Sequence, residues 1–123
     1  MTDDNRVYEI FDLEKVIGEF PPDPESAAKR RAELLVKSDT LRVVLITALA
    51  GSVLHEHNAP GPITIQVLRG QFTVTISDDP RVMRANDLAI IAPEIMHEVE
   101  CDADGAFLLT IAHLTYAPDT GGV

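Results

Sequence analysis

The chain has 123 residues, 46% of them hydrophobic and 24% charged, which is the length and balance of one globular domain. Its 20 acidic and 10 basic residues give a formal charge of −10. That charge sets the surface against nucleic acid and anionic membranes, whose binding draws on clustered Lys and Arg. The first 40 residues are polar and mixed. Residues 1–5 are acidic and polar, unlike a secretory leader. Asp23, Pro24 and Glu25 read as an N-cap, a proline at the first helical position and an acid in the first turn. Ala27, Ala28, Arg31, Leu34 and Leu35 then form a stripe, so a helix is predicted over about 24–37. A second short helix or turn around 12–17 is only weakly signalled.

After Thr40 the texture changes to β-branched runs with close turn signals. Strands are predicted near 41–49, 53–57, 62–69, 71–77, 88–91, 96–101 and 106–115. The turns between them include Ala50-Gly51-Ser52, a proline-stiffened stretch at 58–62, Asp78-Asp79-Pro80, Ala85-Asn86-Asp87 and a polar stretch at 102–105. Short strands at this spacing predict an antiparallel sandwich or barrel over 41–116, preceded by an extension (1–40) and followed by a tail (117–123). Val43-Val44-Leu45-Ile46 and Leu108-Leu109-Thr110-Ile111 do not alternate, so both faces of those strands need a cover. The N-terminal helix can supply one and a second copy of the chain the other, so a homodimer is expected. No run approaches the roughly 20 apolar residues of a membrane span. One cysteine, Cys101, makes no internal disulfide, and the expected compartment is the cytoplasm.

Two stretches carry a resemblance. The first runs from Gly51 through His55, Glu56 and His57 to Gly70, and the second runs from Asn86-Asp87 through Ala92, Pro93 and Glu94 to His97 and Cys101. Together they resemble the two motifs of the cupin superfamily. The first of these is Gly, five residues, His-x-His, three or four residues, Glu, six residues, Gly. The second is Gly, five residues, Pro-x-Gly, two residues, His, three residues, Asn. The resemblance covers 41–115 and implies an all-β fold: an antiparallel double-stranded β-helix, the cupin or jelly-roll barrel, with a short N-terminal helix.

Two registers fit the first motif. If His55 and His57 are the His-x-His pair, the leading glycine stands two residues too close. If the spacing from Gly51 to Gly70 is kept, His57 is the first histidine, Ala59 replaces the second and Ile63 replaces the glutamate. In the second motif Ala92 replaces proline, Glu94 replaces glycine and Cys101 replaces asparagine, while His97 matches.

His55 and His57 are two apart on a predicted strand and so share a face. By the resemblance that face lines the barrel interior together with His97. Three imidazoles suit a divalent metal (Zn, Fe, Ni, Cu or Mn are not distinguished) with open positions for substrate. Cysteine dioxygenases, also cupins, are similar in using three histidines. With no carboxylate ligand the +2 charge would favour a small anionic molecule. The blander reading is that isolated histidines on apolar strands are hydrogen-bonded core or rim residues. Further pocket candidates are Gln66 (expected on the outer sheet face), Ile63, Met96, His113 and Tyr116. Cys101 is expected to be buried and unreactive, with Glu98, Glu100 and Asp102 opposing its ionisation. The functions that follow are an oxygenase or isomerase using a metal at His55, His57 and His97, or, as the alternative, a metal-free cupin that binds a small molecule without catalysis. A metal-free enzyme using His97 as general acid or base is a third.

Overall fold

A computed structural model describes residues 8–113, apart from the side chains of residues 56 and 57. One helix and seven strands follow one another along the chain: α1 (Leu13–Glu19), β1 (Arg30–Lys37), β2 (Leu41–Ala48), β3 (Val53–His57), β4 (Ile63–Ile76), β5 (Asp79–Arg84), β6 (Leu88–Ile91) and β7 (His97–Ala112). All strand pairs are antiparallel.

The long strands β4 and β7 pair along most of their length and belong to two sheets at once. The first half of β4 and the second half of β7 lie between β6 on one side and β2 then β1 on the other. Their other halves lie between β5 and β3. The result is a jelly-roll barrel. The inward set along β4 switches from Ile63, Ile65 and Val67 to Phe72, Val74 and Ile76. A switch from odd to even positions requires a break in the pleat, and the register is irregular from Val67 to Phe72. Gly70 sits in that bend with φ +77, where a Cβ would lie 2.5 Å from the Ala103 carbonyl oxygen of the facing strand. The inner faces meet in one core, in which Phe72 of one sheet and Phe107 of the other pack edge to face with centroids 5.1 Å apart.

The predicted helix over 24–37 is a correction: residues 30–37 form β1, an edge strand paired with β2 from Arg30↔Ala48 to Lys37↔Arg42. The barrel therefore recruits chain from before residue 41. The Asp23 carboxylate accepts from the Glu25 amide at 2.9 Å, an Asx turn rather than a helix cap. Lys29, at φ +55, then ends that turn. Pairing with β2 outweighs weak helical propensity here. The helix lies earlier, where Asp12 caps α1 by accepting from the Lys15 amide at 3.3 Å. Phe11, Leu13, Val16 and Ile17 cover Leu35, Leu45, Ala106 and Leu108 on the outer sheet face. The second apolar face of β2 and β7 is thus covered from within the chain. The stretch 78–80 is a tight hairpin at Ser77-Asp78, both at positive φ, leading into β5, a strand beyond the predicted set. The predicted turn at 102–105 is a bend within continuous β7. No helix among the described residues is long and apolar enough to cross a membrane.

Candidate functional site

Between the two sheets, at the end of the barrel where β4 begins and β7 ends, lies a cavity of about 170 Å³. Asn58, Ala59 and Pro60 form its mouth, Ile63, Leu109 and Ile111 its apolar wall, and His97 and His113 its polar groups. No Lys, Arg, Asp or Glu among the described residues lines it. Leu109 and Ile111 point inward because they stand opposite Ile65 and Ile63 in the ladder, continuing the alternation from Phe107.

The 58–62 loop is fastened over the cavity by backbone contacts. The Ala112 amide donates to the Pro62 carbonyl at 3.1 Å, and the Glu94 amide donates to the Ala59 carbonyl at 2.8 Å. Gly61 lies directly on the end of β7, where a Cβ would overlap the Ala112 carbonyl. Only glycine permits this approach.

His97 is 3% exposed. Its Nδ1 lies 3.1 Å from the Ile95 carbonyl oxygen, which can only accept, so Nδ1 carries a proton and donates it there. His113 is held by its own amide, which donates to the Thr40 carbonyl at 2.8 Å. Its Nε2 is buried and has no hydrogen-bond partner among the described residues.

The predicted site residues divide. Ile63, His97 and His113 come together in the cavity. Gln66, a pocket candidate in the sequence, alternates with buried Ile65 and Val67, faces outward and does not line the cavity. Met96 is 37% exposed and does not line the cavity. Tyr116 and the side chain of His57 lie outside the described residues. His55 is exposed and lines a different, outer groove with Ala27, Ala28, Arg30, Ser52 and Val53. The reason is a bulge. Leu54 pairs with Val99, but the next aligned pair is His57 with His97, three steps along β3 against two along β7. The expected convergence of His55 with His97 is not found. Arg30 reaches the outer groove because residues 30–37 form β1 and not the predicted helix.

The register that keeps the spacing from Gly51 to Gly70 matches the observed placement. In it Ala59 and Ile63 take the positions of the second histidine and the glutamate, and both line the cavity beside His97. Neither has a donor atom. Asn86 and Glu94, at the two glycine positions of the second motif, are at φ +76 and +68, so the backbone keeps the motif's shape without its glycines. Among the described residues, which leave out the side chain of His57, no group of three His, Cys, Asp or Glu could hold a metal.

Cys101 is 2% exposed, and its Sγ donates to the Ala103 carbonyl at 3.3 Å. Burial pushes its pKa up from 9.0 to about 11, with Asp104 and then Asp102 adding to the shift. Of the acids expected to act, Asp102 does so, and Asp104 joins it where Glu98 and Glu100 were named.

Among the described residues, the barrel thus carries a largely apolar pocket beside His97 and His113. No family model matches the sequence, and no curated protein matches it significantly. Solved structures do match. A cupin 2 conserved barrel domain protein from Leptotrichia buccalis is 23% identical with a TM-score of 0.71, over 84% of this chain and 47% of that one. An RmlC-like cupin from Shewanella frigidimarina is 19% identical with a TM-score of 0.68, over 77% and 85%. A conserved protein of unknown function from Streptococcus pyogenes is 16% identical with a TM-score of 0.69, over 74% and 80%. The fold is that of the cupins.

Proposed function

We propose that this chain is a small-molecule-binding cupin whose pocket works without a metal ion. The observation that carries this reading is the presence of Ala59 and Ile63 in the wall beside His97, at positions where the cupin pattern has ligands. An Ala and an Ile supply packing surface, and the two imidazoles supply polar contacts. This is the usual division of labour in a binding pocket. His55, which the metal reading needs, opens onto another groove.

The test is metal analysis of protein purified without a histidine tag, before and after incubation with Mn, Fe, Ni, Cu and Zn. No stoichiometric ion is expected. One ion per chain, lost in His97→Ala, would overturn the proposal and restore metal chemistry. In parallel, Ile63→Trp should fill the cavity and abolish thermal stabilisation by any ligand that the parent binds.

The homodimer belongs to the same proposal, as does a cytoplasmic location. Leu88 and Ile90 are 58% and 73% exposed on the edge strand β6, beside uncharged Thr64 and Gln66 of β4. In a chain of charge −10, a patch without charge is where a second copy meets least repulsion. A monomer mass that does not change with concentration would remove the dimer.

A further inference from the structure

On the basis of the homodimer proposed above, the edges of the barrel differ in what they offer a second copy. Four described strands pair on one side only: β1, β3, β5 and β6. An edge strand presents unpaired N–H and C=O groups, and charges, prolines and bulges keep such edges from pairing. β1 has a bulge between Leu34 and Val36 and carries Arg30, Arg31, Glu33 and Lys37. β5 carries Asp79, Pro80, Arg81 and Arg84. β3 has a bulge between Leu54 and His57. β6, which reads Leu88-Ala89-Ile90-Ile91, has no charge, no proline and an unbroken register with β4.

The ladder fixes which groups of β6 face outward. The Val67 amide donates to the Asp87 carbonyl at 3.0 Å. Hydrogen-bonded pairs alternate along antiparallel strands, so Ala89 and Ile91, opposite Ile65 and Ile63, also turn their N–H and C=O groups to β4. Leu88 and Ile90 turn theirs away from it. Among the described residues β6 pairs with β4 alone, and no other backbone group bonds to Leu88 or Ile90. The same two residues carry the exposed apolar side chains of this strand. Unpaired backbone and uncovered hydrophobic surface thus coincide on one edge.

We infer that two copies join their β6 strands antiparallel about a two-fold axis at Ala89, making one continuous sheet across the dimer. In this register Leu88 of each copy faces Ile90 of the other, and these two pairs close four N–H···O=C bonds. A register centred on residue 88 or on residue 90 would pair only one of the two residues within β6. The Leu88 and Ile90 side chains come to lie beside one another on the outer face, next to Gln66 and Thr64. Charge permits the contact between two molecules of formal charge −10. The nearest acid along the chain, Asp87, stands opposite Ile91 of the second copy and not opposite another acid.

The experiment is sedimentation velocity of the full chain at low and high concentration, with backbone amide exchange followed by NMR over the same range. The Leu88 and Ile90 amides should exchange more slowly as the dimer forms, because their partners come from the second copy. Ile90→Pro removes an N–H that points away from β4, so the fold is kept and two of the four bonds between copies are lost. At roughly fivefold for each bond, dimerisation should weaken about 25-fold. Ile90→Glu keeps the backbone groups and adds a charge to the contact, and it should weaken dimerisation about tenfold or more. A dimer whose Leu88 and Ile90 amides exchange as fast as in the dilute chain would overturn the edge pairing and leave a homodimer on another face. A dimer that neither variant weakens would do the same. A monomer at every concentration would overturn the homodimer itself, and the edge pairing with it.

Discussion

Gly61→Ala is the sharpest single perturbation of the candidate site. The new Cβ would overlap the Ala112 carbonyl, and it would stand 3.0 Å from the Ala112 carbonyl carbon and 3.8 Å from His113 Cα. Both sides of this contact are backbone, so no flexible side chain can move away. The 58–62 loop must lift by about 1 Å or more to reach ordinary contact distance. That displacement threatens two bonds that fasten the loop, Ala112 to Pro62 at 3.1 Å and Glu94 to Ala59 at 2.8 Å. At about 1 kcal/mol each, their loss costs roughly 1–3 kcal/mol. The usual cost of overpacking, also about 1–3 kcal/mol, agrees. Because the loop carries Asn58, Ala59 and Pro60, the cavity mouth opens as well. Urea denaturation should show that loss of stability, and the methyl resonances of Ile63, Leu109 and Ile111 should shift as the mouth opens. The control is Asp12→Ala, which removes the cap of α1 on the outer face. It should cost about 1 kcal/mol and leave those methyl resonances unchanged. A Gly61→Ala protein as stable as the parent, with the same methyl resonances, would refute the claim that this loop closes the pocket.

Glu94 has φ +68, which a side chain with a Cβ tolerates poorly, so Glu94→Gly should raise stability by about 1 kcal/mol in urea denaturation, net of glycine's extra unfolded-state entropy. Cys101 has its pKa raised in the folded state, so the stability it contributes is complete below pH 9.0 and is lost as pH rises from there towards about 11. A disulfide reagent at pH 8 should leave the native thiol unmodified and react once urea unfolds the chain, while rapid native-state modification would contradict the burial.

The parts of the fold legible in the sequence are those fixed by local pattern. Ile63, Ile65 and Val67 alternate with Thr64 and Gln66, and the strand and its inward face follow. Asn86 and His97 mark the second motif because a left-handed turn and an inward imidazole each leave a residue-type signature. What failed depended on partners distant in sequence. Asp23-Pro24-Glu25 suits a helix start and an Asx turn equally, and only pairing with β2 decides between them. The separation of His55 from His97 arises in a bulge defined by the step between Leu54↔Val99 and His57↔His97, and nothing in the residues of β3 alone announces it. The cavity was half legible. The spacing from Gly51 to Gly70 already put Ala59 and Ile63 at ligand positions, but the 58–62 loop over His113 requires the packing of Gly61 on Ala112.

That register can be tested by reversing the replacements. If Ala59 and Ile63 occupy former ligand positions beside His97, the double variant Ala59→His, Ile63→Glu should bind a divalent ion that the parent does not. Ile63 is 3% exposed, so a glutamate there is desolvated and without a cationic partner in the wall. The metal-free variant should lose several kcal/mol of stability. A metal ion supplies the missing charge and binds only the folded chain. At 100 times its dissociation constant it should return about 2.7 kcal/mol. The assay is urea denaturation with Zn or Ni against a chelator, alongside direct metal analysis. The register predicts large metal-dependent rescue in the double variant, less in either single variant and none in the parent. A variant that unfolds equally with and without metal would mean that residues 59 and 63 do not converge with His97 as a ligand set. A parent that gains as much from metal as the variant would mean that the native pocket already holds an ion.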